Sequence, residues 1–245
     1  VPTDNPSNLE EWLLSQVGEE IYQIFFYGYT KKQWGKEPRL LPKAIGMRVP
    51  IRLTYDDNYY NVQYQGIPIG GYIAIFERLL QGIPVHLGVD YFSDRRGLDA
   101  SANRTVFTGA IDEYFGYTHG ALEWRSLRFE EEEHSGDYQG VAAVNYTEEQ
   151  TPYTRIIEHK HFDFSDNPRT IITKEYPQDW IEGREKYYPI DDIKNRELYG
   201  RYIGMIDPNH ILGGRLAYYK YYSMAQVIAA ALKLVQDLCG KMVVQ

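Results

Sequence analysis

The residues best suited to chemistry lie in GGRLAYYKYYSMAQVIAAALKLVQDL, from Gly213 to Leu238. The Gly-Gly pair admits backbone with positive φ or close approach of another group. Arg215 follows, then four tyrosines within five positions and a long apolar helical pattern. Ser223 and Gln226 have capping-box spacing, which predicts a helix from Met224 with its first N–H groups turned toward the preceding loop. Free N–H groups, the helix dipole and a guanidinium all favour negative charge, so this entrance suits a phosphate or a polar cofactor edge. A capped helix with surface tyrosines fits the same pattern equally well.

Three more arginines stand in constrained settings. Arg48 and Arg52 flank Pro50, and the proline-rich surroundings hold both rigidly, so one of the two is expected to point into a site. Arg155 sits inside YTRIIEH, which reads as a strand, so Thr154 and Ile156 should face the opposite way. Asp56, Asp57, Asn58, Tyr59 and Tyr60 lack EF-hand spacing and read as a loop. Gly70-Gly71 is a weak phosphate-nest candidate. His119, His159, His161 and His210 form no HExxH pattern and read as surface or hydrogen-bonding histidines, so no metal is expected. The sequence contains no Gly-x-Gly-x-x-Gly, Walker or Gly-x-Ser-x-Gly element.

The elements that must position these residues follow from periodicity and turn chemistry. Residues 1–6 read as irregular, and Ser7 with Glu10 opens a helix that carries Leu9, Leu13 and Val17 on one face until Gly18 interrupts it. A second helical segment runs from about Glu19 to Phe26. YGYTKKQWG then reads as a short bend presenting Tyr27, Tyr29 and Trp34 around two lysines. A helix is expected from about Tyr72 to Leu80, a short strand at Val85–Leu87, and a strand at Thr105–Thr108 running into a turn at Gly109. Such a strand end is a common ligand position in α/β sheets. ALEWRSLRFEEEEH, QGVAAVNYT, YTRIIEH and RTIITKEYP then predict an antiparallel sheet with one wet face, on which Glu130–Glu133 is a solvated charge run. EKYYPI is an aromatic turn before a helix or irregular segment ending near Tyr202.

Size and composition bound the function. With 245 residues the chain can bury a substantial core, and a single cysteine, Cys239, fits a reducing, cytoplasmic setting. Its longest apolar run is too short to span a bilayer. A net charge of -8 disfavours general nucleic-acid binding, although focused arginines can still take an anionic substrate. The 23 tyrosines and 4 tryptophans modestly raise the prospect of a sugar or nucleobase site.

Taken together, YGYTKKQWG, RVPIRLTYDDNYYN, YQGIPIGGY, FTGAIDEYFGY, NYTEEQTPYTRIIEHK, KYYPI and GGRLAYYKYYSM resemble the C-terminal two-thirds of the UDP-galactopyranose mutase family, in family order along nearly the whole chain. The resemblance implies interconversion of UDP-galactopyranose and UDP-galactofuranose, which serves galactofuranose and cell-surface polysaccharide synthesis. It implies reduced FAD as cofactor, with flavin N5 attacking the anomeric carbon and UDP leaving. Arg48 and Arg155 match the family arginines that hold the diphosphate. Tyr29, Trp34, Tyr59, Asn145 and Tyr221 match positions around the UDP-sugar, as does one of Tyr187 and Tyr188, and the resemblance sets Phe25 or Phe26 at the uracil. Arg215 matches an arginine beside the flavin, and Tyr221, Ser223 and Met224 are expected on the same cofactor side.

The implied fold is an α+β and α/β composite. Residues 1–82 form a helical substrate and oligomerisation domain, 83–118 and 190–245 are returning parts of a Rossmann-like FAD domain, and 119–189 carry the antiparallel sheet. Family members form homodimers or larger oligomers. Two departures stand out. The N-terminal FAD fingerprint segment of the family has no counterpart in this sequence, so weak or absent FAD binding by this chain is expected. Where the family has Asp-Met-Asp, this chain has Ser223, Met224 and Ala225. Ser223 can keep the cap but not the charge. That substitution favours a mutase-like flavoenzyme on another UDP-sugar as the alternative, and the missing fingerprint favours a noncatalytic sugar-nucleotide-binding fragment.

Overall fold

A computed structural model describes residues 5–56 and 58–242. Residues 1–4 of the expected irregular start, and Asp57 of the acidic loop, lie outside the described residues. In chain order the first half contains α1 (Leu9–Ile21), α2 (Gly28–Trp34), α3 (Ile73–Leu79), α4 (Arg95–Ala100), β1 (Thr105–Phe107), α5 (Ile111–Tyr114) and β2 (Trp124–Ser135). The second half contains β3 (Ala143–Asn145), β4 (Arg155–Glu158), β5 (Arg169–Asp179), β6 (Tyr188–Pro189), α6 (Ile193–Ile203), β7 (His210–Leu212), α7 (Gly214–Ala217) and α8 (Met224–Met242). These form two compact units, one from Val1–Val85 with Ser126–Asp179, the other from His86–Arg125 with Trp180–Gln245.

In the first unit, α1 starts one residue later than the expected capping box. Asn8, not Ser7, is the cap, because its Oδ1 accepts from Glu11 N at 3.0 Å. The Glu11 carboxylate reaches back to Ser7 N at 2.8 Å, so the reciprocal half of the box closes on the residue before the cap. Leu9 and Leu13 are buried, and Leu9 N donates to Leu41 O at 2.9 Å, which pins the proline-rich turns to the helix. Gly18 breaks the helical path at φ 77°.

The expected bend at residues 27–35 is instead continuous helix. Tyr22–Tyr27 forms a π-helical turn that leads directly into α2, which ends at Gly35 in the left-handed region at φ 63°. Gly28 is helical at φ -63°, so it is not a turn glycine. A Cβ there would stand 2.5 Å from Thr147 O, and the missing side chain therefore serves close packing.

The sheet of this unit runs β3-β4-β5-β2. Antiparallel register sets Asn145 opposite Arg155, and Arg155 opposite Glu175. As expected, Thr154 and Ile156 are fully buried while Arg155 between them is half-buried. The acidic run on β2 is solvated but also paired, with Glu130 to Arg128, Glu132 to Lys174, and Glu133 to Arg169 at 2.6 Å.

In the second unit, β1 pairs in parallel with β7, in register from Thr105↔His210 to Phe107↔Leu212. The first two residues of β2 pair with β6. The core gathers Phe107, Ile111, Tyr114, Leu122, Trp124, Tyr202, Leu212, Ala217 and Tyr219. Asp192 caps α6 by accepting from Asn195 N at 2.9 Å. Val85–Leu87 forms no strand; Gly82 and Gly88, both at positive φ, bend the chain on either side of it. Among the described residues no helix is long and apolar enough to cross a membrane.

Two outcomes follow from this packing. Gly28→Ala should lower stability by about 1–3 kcal/mol, read as a lower urea midpoint, because the backbone at Thr147 cannot retreat from the new methyl group. Glu158 supplies the second. Burial pushes its carboxyl up, but hydrogen bonds from Tyr138 N and Gln139 N, together with His161, outweigh this and hold it at about 2. A depressed folded value contributes stability above the ordinary 4.5 that is lost as pH falls through about 2. Glu158→Gln should therefore cost roughly 3 kcal/mol near neutral pH and flatten the acid limb of the stability curve.

Candidate functional site

The sequence-derived residues fall into two constellations, each within its own unit. In the first, Tyr29 comes from α2, Asn145 ends β3 and Arg155 begins β4. Arg155 Nε donates to Asn145 Oδ1 at 3.0 Å, and its Nη2 lies 3.5 Å from the Tyr29 hydroxyl. The contact with Asn145 follows from register, since the two residues are direct antiparallel partners. Here a forked cation is presented beside a phenol and an amide, an arrangement that can grip a phosphate or carboxylate.

Glu175 is the opposing partner of Arg155 on β5 and is largely buried. Burial raises its pKa above the ordinary carboxylate value, and the Arg155 charge acts against that rise. Sequence reasoning missed Glu175 because a single acid in RTIITKEYP carries no distinguishing spacing. Lys32 was missed for a similar reason. Its ammonium donates to three backbone carbonyls, Tyr146 O, Thr151 O and Tyr153 O, at 2.8, 2.9 and 3.0 Å. Its presence between aromatic residues was visible, but the carbonyls it seeks are more than a hundred residues away.

The other predicted residues of this unit are distributed around α1, α2 and the proline-rich segment. Trp34 is buried at the end of α2, Phe26 is half-buried and Phe25 is 55% exposed on the π-helical turn. Arg48 ends a 3-10 turn in an exposed position. Tyr59 is exposed and packs edge-to-face on Tyr60 with ring centres 4.9 Å apart. Arg52 is committed to the loop that carries Tyr59, donating to Asn58 O at 2.6 Å and Tyr59 O at 3.2 Å.

The second constellation surrounds Arg215 on α7. Its guanidinium donates to Tyr222 O at 3.2 Å and to Tyr187 O, and lies over the rings of Tyr221 and Tyr188 at 5.2 and 5.9 Å. Tyr188 and Tyr221 meet edge-to-face at 5.2 Å. The capping box then forms as expected. Gln226 Oε1 accepts from Ser223 N at 2.8 Å, and Ser223 Oγ accepts from Gln226 N at 3.3 Å. Met224 is the exposed first residue of α8.

His119, His159, His161 and His210 each lie within hydrogen-bonding distance of another side chain. His161 Nε2 lies 2.9 Å from Asp137 Oδ1 and 3.4 Å from Glu158 Oε2. These three side chains bring ligand-type atoms within 4.8 Å of one another, a proximity the spacing of the sequence did not reveal. Glu158 in that cluster already accepts two backbone N–H groups.

The register of Arg155 against Glu175 has a measurable consequence. Removing the guanidinium removes an opposing charge that favours ionised Glu175, so Arg155→Ala should raise the Glu175 pKa further. Carboxyl-carbon NMR titration reads this directly, and an unchanged Glu175 titration would separate the two groups electrostatically.

A family model described as UDP-galactopyranose mutase matches residues 24–221. The chain is 37% identical over 237 residues to a probable UDP-galactopyranose mutase of Klebsiella pneumoniae, covering 95% of this chain and 61% of that protein. It is 34% identical over 246 residues to a dTDP-fucopyranose mutase of Escherichia coli, covering 95% of this chain and 64% of the relative. It thus spans less than two thirds of the length of these relatives. The fold is similar to that of a crystal structure of reduced UDP-galactopyranose mutase, with a TM-score of 0.50 and 12% identity over 90% of this chain and 65% of that one. With its family match running from the first constellation into the second as far as Tyr221, the chain belongs to the UDP-galactopyranose mutase family.

Proposed function

We propose that this chain carries most of the substrate site of a mutase that interconverts the pyranose and furanose rings of a UDP-linked galactose. Arg155 is the observation that carries the reading. In a chain of net charge -8, a guanidinium is held by Asn145 and set beside Tyr29, which focuses positive charge where a diphosphate can bind. Arg48 and Arg155 act as forked donors that neutralise the departing UDP and keep it near for the return step. Phe25, Phe26, Tyr29, Trp34 and Tyr59 supply aromatic surface for the uridine portion, and Asn145, Tyr187, Tyr188 and Tyr221 supply polar contacts around diphosphate and sugar.

Reduced FAD is the cofactor in this reading. Arg215, Tyr221, Ser223 and Met224 fit the edge of a flavin. Gly214 stands at φ 77° with no side chain to obstruct approach, and the α8 cap leaves a helix entrance beside aromatic faces. When bound and reduced, the flavin supplies the nucleophile for the anomeric carbon. Arg215 orients the loop by gripping the Tyr187 and Tyr222 carbonyls. The parallel β1–β7 pair supports grouping residues 83–118 and 190–245 in one Rossmann-like FAD domain, with residues 1–82 as a helical domain and 119–189 as a sheet domain in the same reading. Exposed Ile73, Phe76 and Leu79 on α3 support assembly, as a homodimer of a cytoplasmic enzyme supplying galactofuranose for cell-surface polysaccharide.

A second substrate reading has its own support. Ser223 and Ala225 replace the acidic pattern of the family, and one relative is named a dTDP-fucopyranose mutase. On that reading the same ring interconversion acts on a different nucleotide sugar.

Dithionite-reduced complete enzyme distinguishes these. Arg155→Ala and Arg48→Ala should each reduce kcat by about 100-fold or more, as expected for loss of a charge-stabilising donor. Unchanged steady-state kinetics would remove the arginine concerned from the site. Faster turnover of dTDP-fucopyranose than of UDP-galactopyranose would select the second substrate reading.

A further inference from the structure

We propose that Lys32 is the positioning residue for the Asn145–Arg155 pair, holding the connection between β3 and β4 closed so that the arginine meets a nucleoside diphosphate preorganised. The proposal rests on the reading of Arg155 as a diphosphate ligand. Lys32 lies one helical turn beyond Tyr29, so the two side chains leave neighbouring positions on the same face of α2. Its three carbonyl partners all belong to the short connection that begins after Asn145 and ends before Arg155. An ammonium has three donors, and all three are used here.

Alternative ways of closing this connection are poorer. The segment is not a tight two-residue hairpin, so turn chemistry alone does not fix its shape. Converging carbonyls repel one another unless a cation sits among them. Lys32 supplies that cation from another element, and desolvation there lowers its pKa. Two further contacts register α2 on the same connection. Lys31 Nζ pairs with Glu149 Oε1 at 2.9 Å, and Gly28 leaves no room for a Cβ above Thr147 O. Thus α2 sets Tyr29 and, through Lys32, the two strand ends that carry Asn145 and Arg155. Loss of Lys32 leaves each ligand present but releases their mutual placement, and the ordering cost then falls on the binding step.

The test is a double-mutant cycle in the complete protein, with UDP as the probe and calorimetry as the readout. Lys32→Met keeps the aliphatic stem and removes the donors. It should weaken UDP binding by about tenfold or more, and so should Arg155→Ala. The double variant should bind within about twofold of Arg155→Ala alone, because without the arginine the mutual placement of Asn145 and Arg155 that Lys32 maintains is already lost. A general structural role would instead lower affinity additively in both backgrounds. Lys32→Arg gives a second route if Lys32→Met fails to fold: its planar fork cannot satisfy three converging carbonyls as an ammonium does, so intermediate UDP affinity and faster amide exchange at residues 146–153 are expected. Parent-like affinity and exchange in the Lys32 variants, with weakened Arg155→Ala, would overturn the positioning role and leave the Arg155 reading standing. Parent-like affinity in Arg155→Ala would overturn both.

Discussion

The two-residue alternation of β4 is the constraint on which the arrangement around Arg155 depends. Thr154, Ile156 and Glu158 are fully buried on one face, and Arg155 stands on the other. A slip of one residue would drive the guanidinium into the core and expel a carboxylate that is held by two backbone N–H groups. Glu158 therefore fixes register from the buried side, and Asn145 accepts from Arg155 on the opposite side because that register is fixed. The anionic pin and the half-buried guanidinium are two consequences of a single pleat.

Around Arg215 a different device does comparable work. Tyr219 is buried yet adopts φ 50°, a conformation unfavourable for a bulky residue. Its hydroxyl is bonded on three sides: it accepts from Ile190 N at 3.1 Å and lies 2.6 and 2.9 Å from the carbonyl oxygens of Glu123 and Ile190. A phenol with one proton shares that proton between the two carbonyls. These bonds tie the approach to α6 to the loop after α7 and offset the cost of the backbone conformation. Arg215 then fixes the following turn through carbonyls, while its charge remains against the faces of Tyr188 and Tyr221. Arginine here organises backbone as well as offering charge.

These two devices mark what could be read from the sequence and what could not. The strands of YTRIIEH and RTIITKEYP were legible because alternation is a local property, and so was the Ser223–Gln226 box. The failures came where a residue answers to a distant partner. Gly28 looked like a bend because glycine permits one, but its absent side chain accommodates Thr147 O. Ser7 had the right spacing for a cap, and Asn8 beside it had equally good chemistry. Tyr219 was indistinguishable from its neighbouring tyrosines until its three partners were in place. The family pattern supplied candidate roles for Arg48, Arg155 and the aromatic residues, whereas the supporting groups Lys32, Glu175 and Tyr219 emerge only from contacts.

The same distinction bears on the substitution at the α8 entrance. A capping residue needs an acceptor for an N–H and a carbonyl to begin the helix, and Ser223 provides both, with Val227 N donating to Ser223 O at 3.0 Å. The geometry of the entrance is therefore independent of carboxylate charge. In the resembling family pattern, aspartates at positions 223 and 225 would partly cancel the positive end of the helix dipole, whereas Ser223 and Ala225 leave it uncompensated. Relative to an acidic entrance, this one carries two fewer carboxylates and repels an approaching anion less. Architecture and electrostatics have separated at this turn: the first is retained by a neutral cap, and the second is left less negative than an acidic pair would make it.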